Sequence, residues 1–275
     1  MDVHDTAQKP ATHVVHDGPR QAPPLLLIHG SGASGATWGP MVPALAARHH
    51  VIRVDLPGCG QSPPAPAYDA PAQAARVAAV LDGLGLRDVA VAGHSSGGYV
   101  ATALAEHRPD LVRSLALIST GPSPDALLAQ PLLHRVLLAP PFGPLLWARR
   151  SDAMIRKALR ATAARPVEIP DDVVAEVRDI SYGTLRSVLR AYGDYIAERS
   201  VPERLAALPG VPVLALFGSA DPRWDPASAR QYAAVPGARL ELLPGVGHLA
   251  MFEDPARTAE LLLAFTAPAP EPLID

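Results

Sequence analysis

A serine, a histidine and an aspartate stand in this chain in settings that suit nucleophilic acyl transfer. Gly93-His94-Ser95-Ser96-Gly97-Gly98 places a serine between glycines, directly after an apolar run and before a helical one. A serine on a sharp strand-to-helix turn adopts a strained backbone, and Gly93 and Gly97 relieve the crowding around it. The turn lifts the hydroxyl of Ser95 clear of the sheet, so Ser95 is the candidate nucleophile. Ser96 is its rival, but the turn projects the central residue. The amide of Ser96, at a helix N-terminus, suits donation to a developing oxyanion. The plain alternative is a glycine-serine turn without chemistry.

A tetrahedral oxyanion needs a second amide donor. His29-Gly30-Ser31-Gly32 follows the first apolar run, and its glycines allow close backbone approach. The donor is assigned to Ser31, with Gly30 or Gly32 as alternatives. His29, at a strand end, is expected to orient the loop backbone rather than act as a base.

The chain has ten histidines. His4, His13 and His16 precede the core, and His49 and His50 close the first helix. His94 lies within the serine turn with its side chain away from the hydroxyl. His107 lies at the far end of the following helix, and His134 lies in an insertion. His248 differs, because it follows the last strand in Pro244-Gly245-Val246-Gly247-His248, at the edge where Ser95 emerges. It is the candidate base. The orienting carboxylate belongs at a strand end between Ser95 and His248. Phe217-Gly218-Ser219-Ala220 leads at once into Asp221, the preferred acid. Asp225, before Pro226, reads as a helix start, and Asp125 lies several residues past its strand.

The elements that must position these residues alternate. Strands are expected at 25–28, 51–54, 88–93 and 115–119, with helices at 39–48, 70–84 and 96–107. Strand–helix alternation implies a parallel sheet covered on both faces, an α/β fold. From 121 to about 207 no strand is evident. Helices are expected there at 127–138, 152–164, 171–180 and 184–199. The alternation resumes with strands at 211–217 and 239–243 and a helix at 255–265. The reading is one α/β domain, 1–120 and 208–275, with a helical cap at 121–207. Such an insertion overlies the carboxyl ends of the strands, where open α/β sheets bind ligands.

Composition narrows the function. A net charge of −3 gives no electrostatic case for nucleic acid or an anionic membrane surface. The single cysteine, Cys59, excludes an internal disulfide framework and a multi-cysteine zinc site. No apolar run reaches the roughly 18 residues of a membrane span. The start of the chain lacks the basic and apolar regions of a signal peptide, so a cytoplasmic location is expected. Phe142, Trp147, Tyr182, Tyr192 and Tyr195 lie in the insertion, either lining a partly apolar pocket or gluing cap to core. Arg149, Arg150, Arg156, Lys157 and Arg160 make its middle basic, which reads as a solvated face.

These motifs resemble the α/β-hydrolase superfamily, on its serine-nucleophile, esterase- and lipase-like branch. The resemblance rests on His29-Gly30 with Trp38 downstream, Asp55-Leu56-Pro57-Gly58-Cys59-Gly60-Gln61-Ser62, the serine turn, Gly218-Ser219-Ala220-Asp221, and Gly247-His248 followed by Glu253-Asp254-Pro255. It covers about residues 25–265. It implies a mainly parallel eight-stranded sheet, a helical cap and no need of a cofactor or metal. Residues 12–16 are offered as one of the early strands. Relatives that open epoxides or displace halide carry aspartate where this chain has Ser95, so acyl-enzyme chemistry is implied.

The expected function is hydrolysis of an ester-like small molecule, a carboxylic ester, thioester or lactone, by Ser95, His248 and Asp221 with Ser96 and Ser31 amides at the oxyanion. Hydrolysis of a C–C bond on the same triad, perhydrolase activity and ligand binding without catalysis are the alternatives.

Overall fold

The computed structural model describes residues 12–129, 139–208 and 210–267. Seven strands form one sheet: β1 (Val14–Asp17), β2 (Pro24–Ile28), β3 (His50–Val54), β4 (Val89–His94), β5 (Val112–Ile118), β6 (Val213–Gly218) and β7 (Arg239–Leu243). Their spatial order is β1-β3-β2-β4-β5-β6-β7, and all pairs are parallel except β1 with β3. The eight strands expected from the resemblance are thus seven among the described residues. β1 forms the outer edge beside β3.

Both faces of the sheet are covered, and the central strands are apolar on both sides. Leu26 and Ile28 of β2 join one core with Val77 and Leu81 of α2 (Ala70–Gly83) and with Val100 and Leu104 of α3 (Gly97–His107). Leu25 and Leu27 point the other way, into a core with Trp38, Met41 and Leu45. This period of two explains why β2 reads as a continuous apolar run. Each fully buried leucine contributes about 1.5–3 kcal/mol to stability.

Local signals set the helix ends. The Asp69 side chain accepts from the Ala72 amide and starts α2, whose early Pro71 lacks only an unneeded donor. The helix expected at 39–48 is a 3-10 helix at Gly35–Met41 followed by the short α1 (Val42–Ala46). Pro40 and Pro43 break the hydrogen-bond ladder that one continuous helix would need.

Between β5 and β6 lie α4 (Phe142–Ala148), α5 (Asp152–Arg160), α6 (Asp171–Asp179), α7 (Tyr182–Glu198) and α8 (Val201–Ala206). α4 and α8 add to the helices expected from sequence, and most of the helix expected at 127–138 lies outside the described residues. Leu127 itself makes an isolated antiparallel bridge to Trp224. These helices reach both cores. Tyr192, Tyr195 and Ile196 of α7 pack with α3, while Ile155, Val173, Val174 and Val177 join the opposite cluster. After β7 come α9 (Ala250–Glu253) and α10 (Pro255–Thr266).

Candidate active site

β4 ends at His94, and the next residue turns sharply. Ser95 has φ +52°, a left-handed conformation that non-glycine residues rarely adopt. Neighbouring bonds hold this strain. The Ser95 amide donates to the Ile118 carbonyl over 2.8 Å, and the Ser95 carbonyl accepts from the Thr120 hydroxyl over 2.9 Å and the Gly98 amide over 3.0 Å. A Cβ on Gly93 would lie 2.6 Å from the Gly97 carbonyl oxygen, and one on Gly97 would lie 2.3 Å from the Ile28 carbonyl oxygen. Both glycines are therefore steric requirements of the turn.

Three chemistry-bearing side chains converge beyond β4, β6 and β7. His248 Nε2 is 3.0 Å from Ser95 Oγ, and His248 Nδ1 is 2.8 Å from Asp221 Oδ2. Asp221 Oδ1 accepts from the Arg223 amide over 2.8 Å and the Trp224 amide over 3.2 Å, which fixes the carboxylate plane. With an ionised carboxylate as acceptor, the network assigns the imidazole proton to Nδ1 and leaves Nε2 to accept from the Ser95 hydroxyl. All three residues are buried.

The competing acids make no bond to His248 and lie in other local settings. Asp225 accepts from the Ala227 amide over 2.9 Å and caps the 3-10 helix Pro226–Ala234, as its position before Pro226 suggested. Asp125 is exposed in a 3-10 turn.

Ser31 and Ser96 meet, with a detail that sequence did not supply. The Ser31 amide donates to Ser96 Oγ over 2.7 Å, and the two hydroxyl oxygens are also 2.7 Å apart. Gly30 lies against Ser95, since a Cβ there would be 3.1 Å from Ser95 Cβ. Gly32 has φ +70°, the conformation its turn requires. His29 holds this loop as expected. Its Nδ1 donates to the Gly30 carbonyl over 2.8 Å, and its Nε2 accepts from the Leu56 amide over 2.9 Å. Burial lowers its pKa and keeps it neutral.

His94 has a second role. Its Nε2 donates to the His248 carbonyl over 2.9 Å, and the two rings lie 5.0 Å apart. Burial, then the neighbouring His248, push the His94 pKa down to about 3. Sequence reading missed three further residues beside His248: Thr162, Arg165 and Glu253. The Thr162 carbonyl accepts from the His248 amide over 3.0 Å, and the Glu253 carboxylate accepts from the Gly247 amide over 2.8 Å. A sequence signal exists for only one of them, since Glu253 belongs to the Glu253-Asp254-Pro255 motif after His248.

Cys59 is buried and its thiol is pushed up to about 12, first by burial and then by Asp55, so it is unreactive at neutral pH. Of the aromatic residues singled out in the insertion, Tyr192 accepts from Gln73 over 2.6 Å and Tyr195 donates to Glu106 over 2.9 Å, both as glue against the core. Phe142 is exposed. Arg150 donates to the carbonyls of Trp147, Val177, Arg178 and Ile180, tying helices together rather than facing solvent alone. Among the described residues, no group of three or more His, Cys, Asp or Glu side chains is placed to hold a metal ion. No described helix is long and apolar enough to cross a membrane.

Residues 25–261 match the model of an alpha/beta hydrolase family. An uncharacterized protein of Mycobacterium tuberculosis is 31% identical over 264 residues, covering 88% of this chain and 75% of that one. A pimeloyl-[acyl-carrier protein] methyl ester esterase of Neisseria meningitidis is 32% identical over 227 residues, covering 82% of this chain and 86% of that one. Among solved structures, the carboxylesterase CesB of Bacillus subtilis superposes with a TM-score of 0.73 at 25% identity, covering 94% of this chain and 88% of that one.

Proposed function

This chain belongs to the alpha/beta hydrolase family, and on that premise we propose that it hydrolyses a small ester-like substrate through an acyl-enzyme on Ser95. The observation that carries this reading is the unbroken chain of bonds from Asp221 through His248 to Ser95, at 2.8 and 3.0 Å. His248 Nε2 takes the hydroxyl proton as Ser95 Oγ attacks the carbonyl carbon. Asp221 holds the imidazole in the required tautomer and stabilises the imidazolium. The oxyanion accepts from the Ser96 and Ser31 amides, so the Ser31 amide exchanges Ser96 Oγ for the substrate oxygen. His248 then protonates the leaving alkoxide, thiolate or lactone oxygen. Water, deprotonated by the same imidazole, releases the acid and restores the Ser95 hydroxyl.

In this reading residues 121–207 form a cap over the site. Two contacts support it. The Thr162 carbonyl accepts from the His248 amide, and a Cβ on Gly32 would lie 3.5 Å from the Leu185 side chain. The insertion thus touches both the base loop and the oxyanion loop. The relatives with ester-cleaving names support an ester as the substrate class.

A fluorophosphonate probe tests the proposal. Labelling is expected in the wild type and is expected to vanish, together with esterase activity, in Ser95→Ala. Undiminished hydrolysis by Ser95→Ala would remove Ser95 from the chemistry.

A further inference from the structure

Glu253 carries a buried carboxylate with no part in the proton relay, yet it accepts four backbone N–H bonds. Oε2 accepts from Ala164 over 2.8 Å, from Arg165 over 2.9 Å and from Gly247 over 2.8 Å. Oε1 accepts from Leu249 over 3.0 Å. Gly247 and Leu249 flank His248, whereas Ala164 and Arg165 belong to the helical insertion. The carboxylate therefore joins the loop of the base to a segment more than eighty residues away in the chain. A buried carboxylate is retained only when such donors satisfy its lone pairs, and charge-assisted bonds of this kind are short and directional.

Three independent contacts reinforce the same junction. The Thr162 carbonyl accepts from the His248 amide. A Cβ on Gly247 would lie 2.5 Å from the Ala164 nitrogen, so the two segments touch backbone to backbone. The Arg165 guanidinium crosses from the outside and donates to the carbonyls of Pro244 over 2.7 Å and Gly245 over 3.2 Å and to Asp254 over 3.0 Å.

We propose that Glu253 is a positioning residue for His248, acting by clamping the 162–165 turn of the insertion to the 247–249 loop. The proposal rests on His248 being the base of the reaction. It makes the insertion part of what holds the imidazole, and not only a cover over the substrate. In Glu253→Gln one acceptor oxygen becomes an NH2 group that confronts a backbone N–H. The loop then loses a fixed bond on one side of His248, and the imidazole loses its register with Ser95.

The test measures kcat and KM with p-nitrophenyl acetate, and the rate of fluorophosphonate labelling, in wild type, Glu253→Gln, Arg165→Ala and Leu81→Ala. Leu81→Ala is a stability control in the core on the other face of the sheet. A 1 Å misplacement of a reacting group costs on the order of 100-fold, so Glu253→Gln is expected to lower kcat and labelling about 10- to 100-fold with KM within about 3-fold. Arg165→Ala is expected to lower both about 3- to 10-fold. Leu81→Ala is expected to lower Tm and leave kcat unchanged. The proposal is overturned if Glu253→Gln behaves like Leu81→Ala, less stable but as fast as wild type. If Glu253→Gln does not fold, Arg165→Ala, whose side chain is 39% exposed, decides on the same readouts. A wild type that resists the probe would instead bring down the nucleophile itself, a result distinct from a variant that labels at the wild-type rate.

Discussion

The imidazole of His94 donates its Nε2 proton to the main-chain carbonyl of His248 over 2.9 Å, so the residue before the proposed nucleophile supports its proposed base. Taken alone this bond favours the protonated ring, but burial first and then the neighbouring His248 outweigh it and push the His94 pKa down to about 3. The folded state therefore binds fewer protons than the unfolded one between about pH 6.5 and pH 3, and stability falls as pH falls through that window. Each pH unit below about 6.5 costs up to about 1.4 kcal/mol from this residue alone. His29, also lowered by burial, acts in the same direction. Thermal unfolding is expected to show a lower Tm at pH 5 than at pH 7, with a smaller difference in His94→Gln. An equal pH dependence in the variant would assign the acid sensitivity to other groups.

Asp221→Asn tests the tautomer argument. An amide presented to Nδ1 favours the wrong imidazole tautomer, and kcat is expected to fall about 10⁴-fold, the loss seen when such a triad aspartate is replaced. Asp225→Asn, which replaces one good helix cap by another, is expected to change kcat less than about 2-fold and to leave stability nearly unchanged. Steady-state kinetics on the two variants checks both. The opposite ranking would make Asp225 the partner of His248.

Ser96→Ala separates the side chain of residue 96 from its amide. The variant keeps the N–H assigned to the oxyanion and releases the Ser31 amide from Ser96 Oγ. Its kcat is expected to stay within about 3-fold of wild type, because the proposed oxyanion donors are backbone amides. A loss of about 100-fold or more, measured with the same ester, would show that the Ser96 hydroxyl takes part in the reaction.

Two glycines give opposite stability effects. A methyl group at Gly97 meets the Ile28 carbonyl at 2.3 Å, and Gly97→Ala is expected to cost about 1–3 kcal/mol. Gly193 lies exposed within α7 with open space around it, and Gly193→Ala is expected to add about 0.5–1 kcal/mol. Denaturant unfolding of both variants checks the pair.

The candidate site was legible where chemistry depends on local chain geometry. Ser95 sits in a glycine-framed turn, His248 and Asp221 follow strands directly, and Asp225 announces itself as a cap by preceding proline. The sheet was legible because its inner strands are apolar on both faces. What sequence did not reveal depends on distant backbone groups. Glu253 is clamped by amides of residues 164 and 165, and the Ser31 amide finds Ser96 Oγ, partners that no spacing rule connects. α4 escaped notice because Gly143 and Pro144 fall in its first turn, where Pro is tolerated but helical periodicity is hard to read.

Trapping the covalent intermediate tests the central claim most directly. Protein quenched in acid during turnover of p-nitrophenyl acetate would be digested and its peptides weighed by mass spectrometry. The account predicts one added acetyl group, carried by Ser95 and missing from Ser95→Ala. Acetyl transfer to another residue with Ser95 unmodified, at a rate matching turnover, would contradict it.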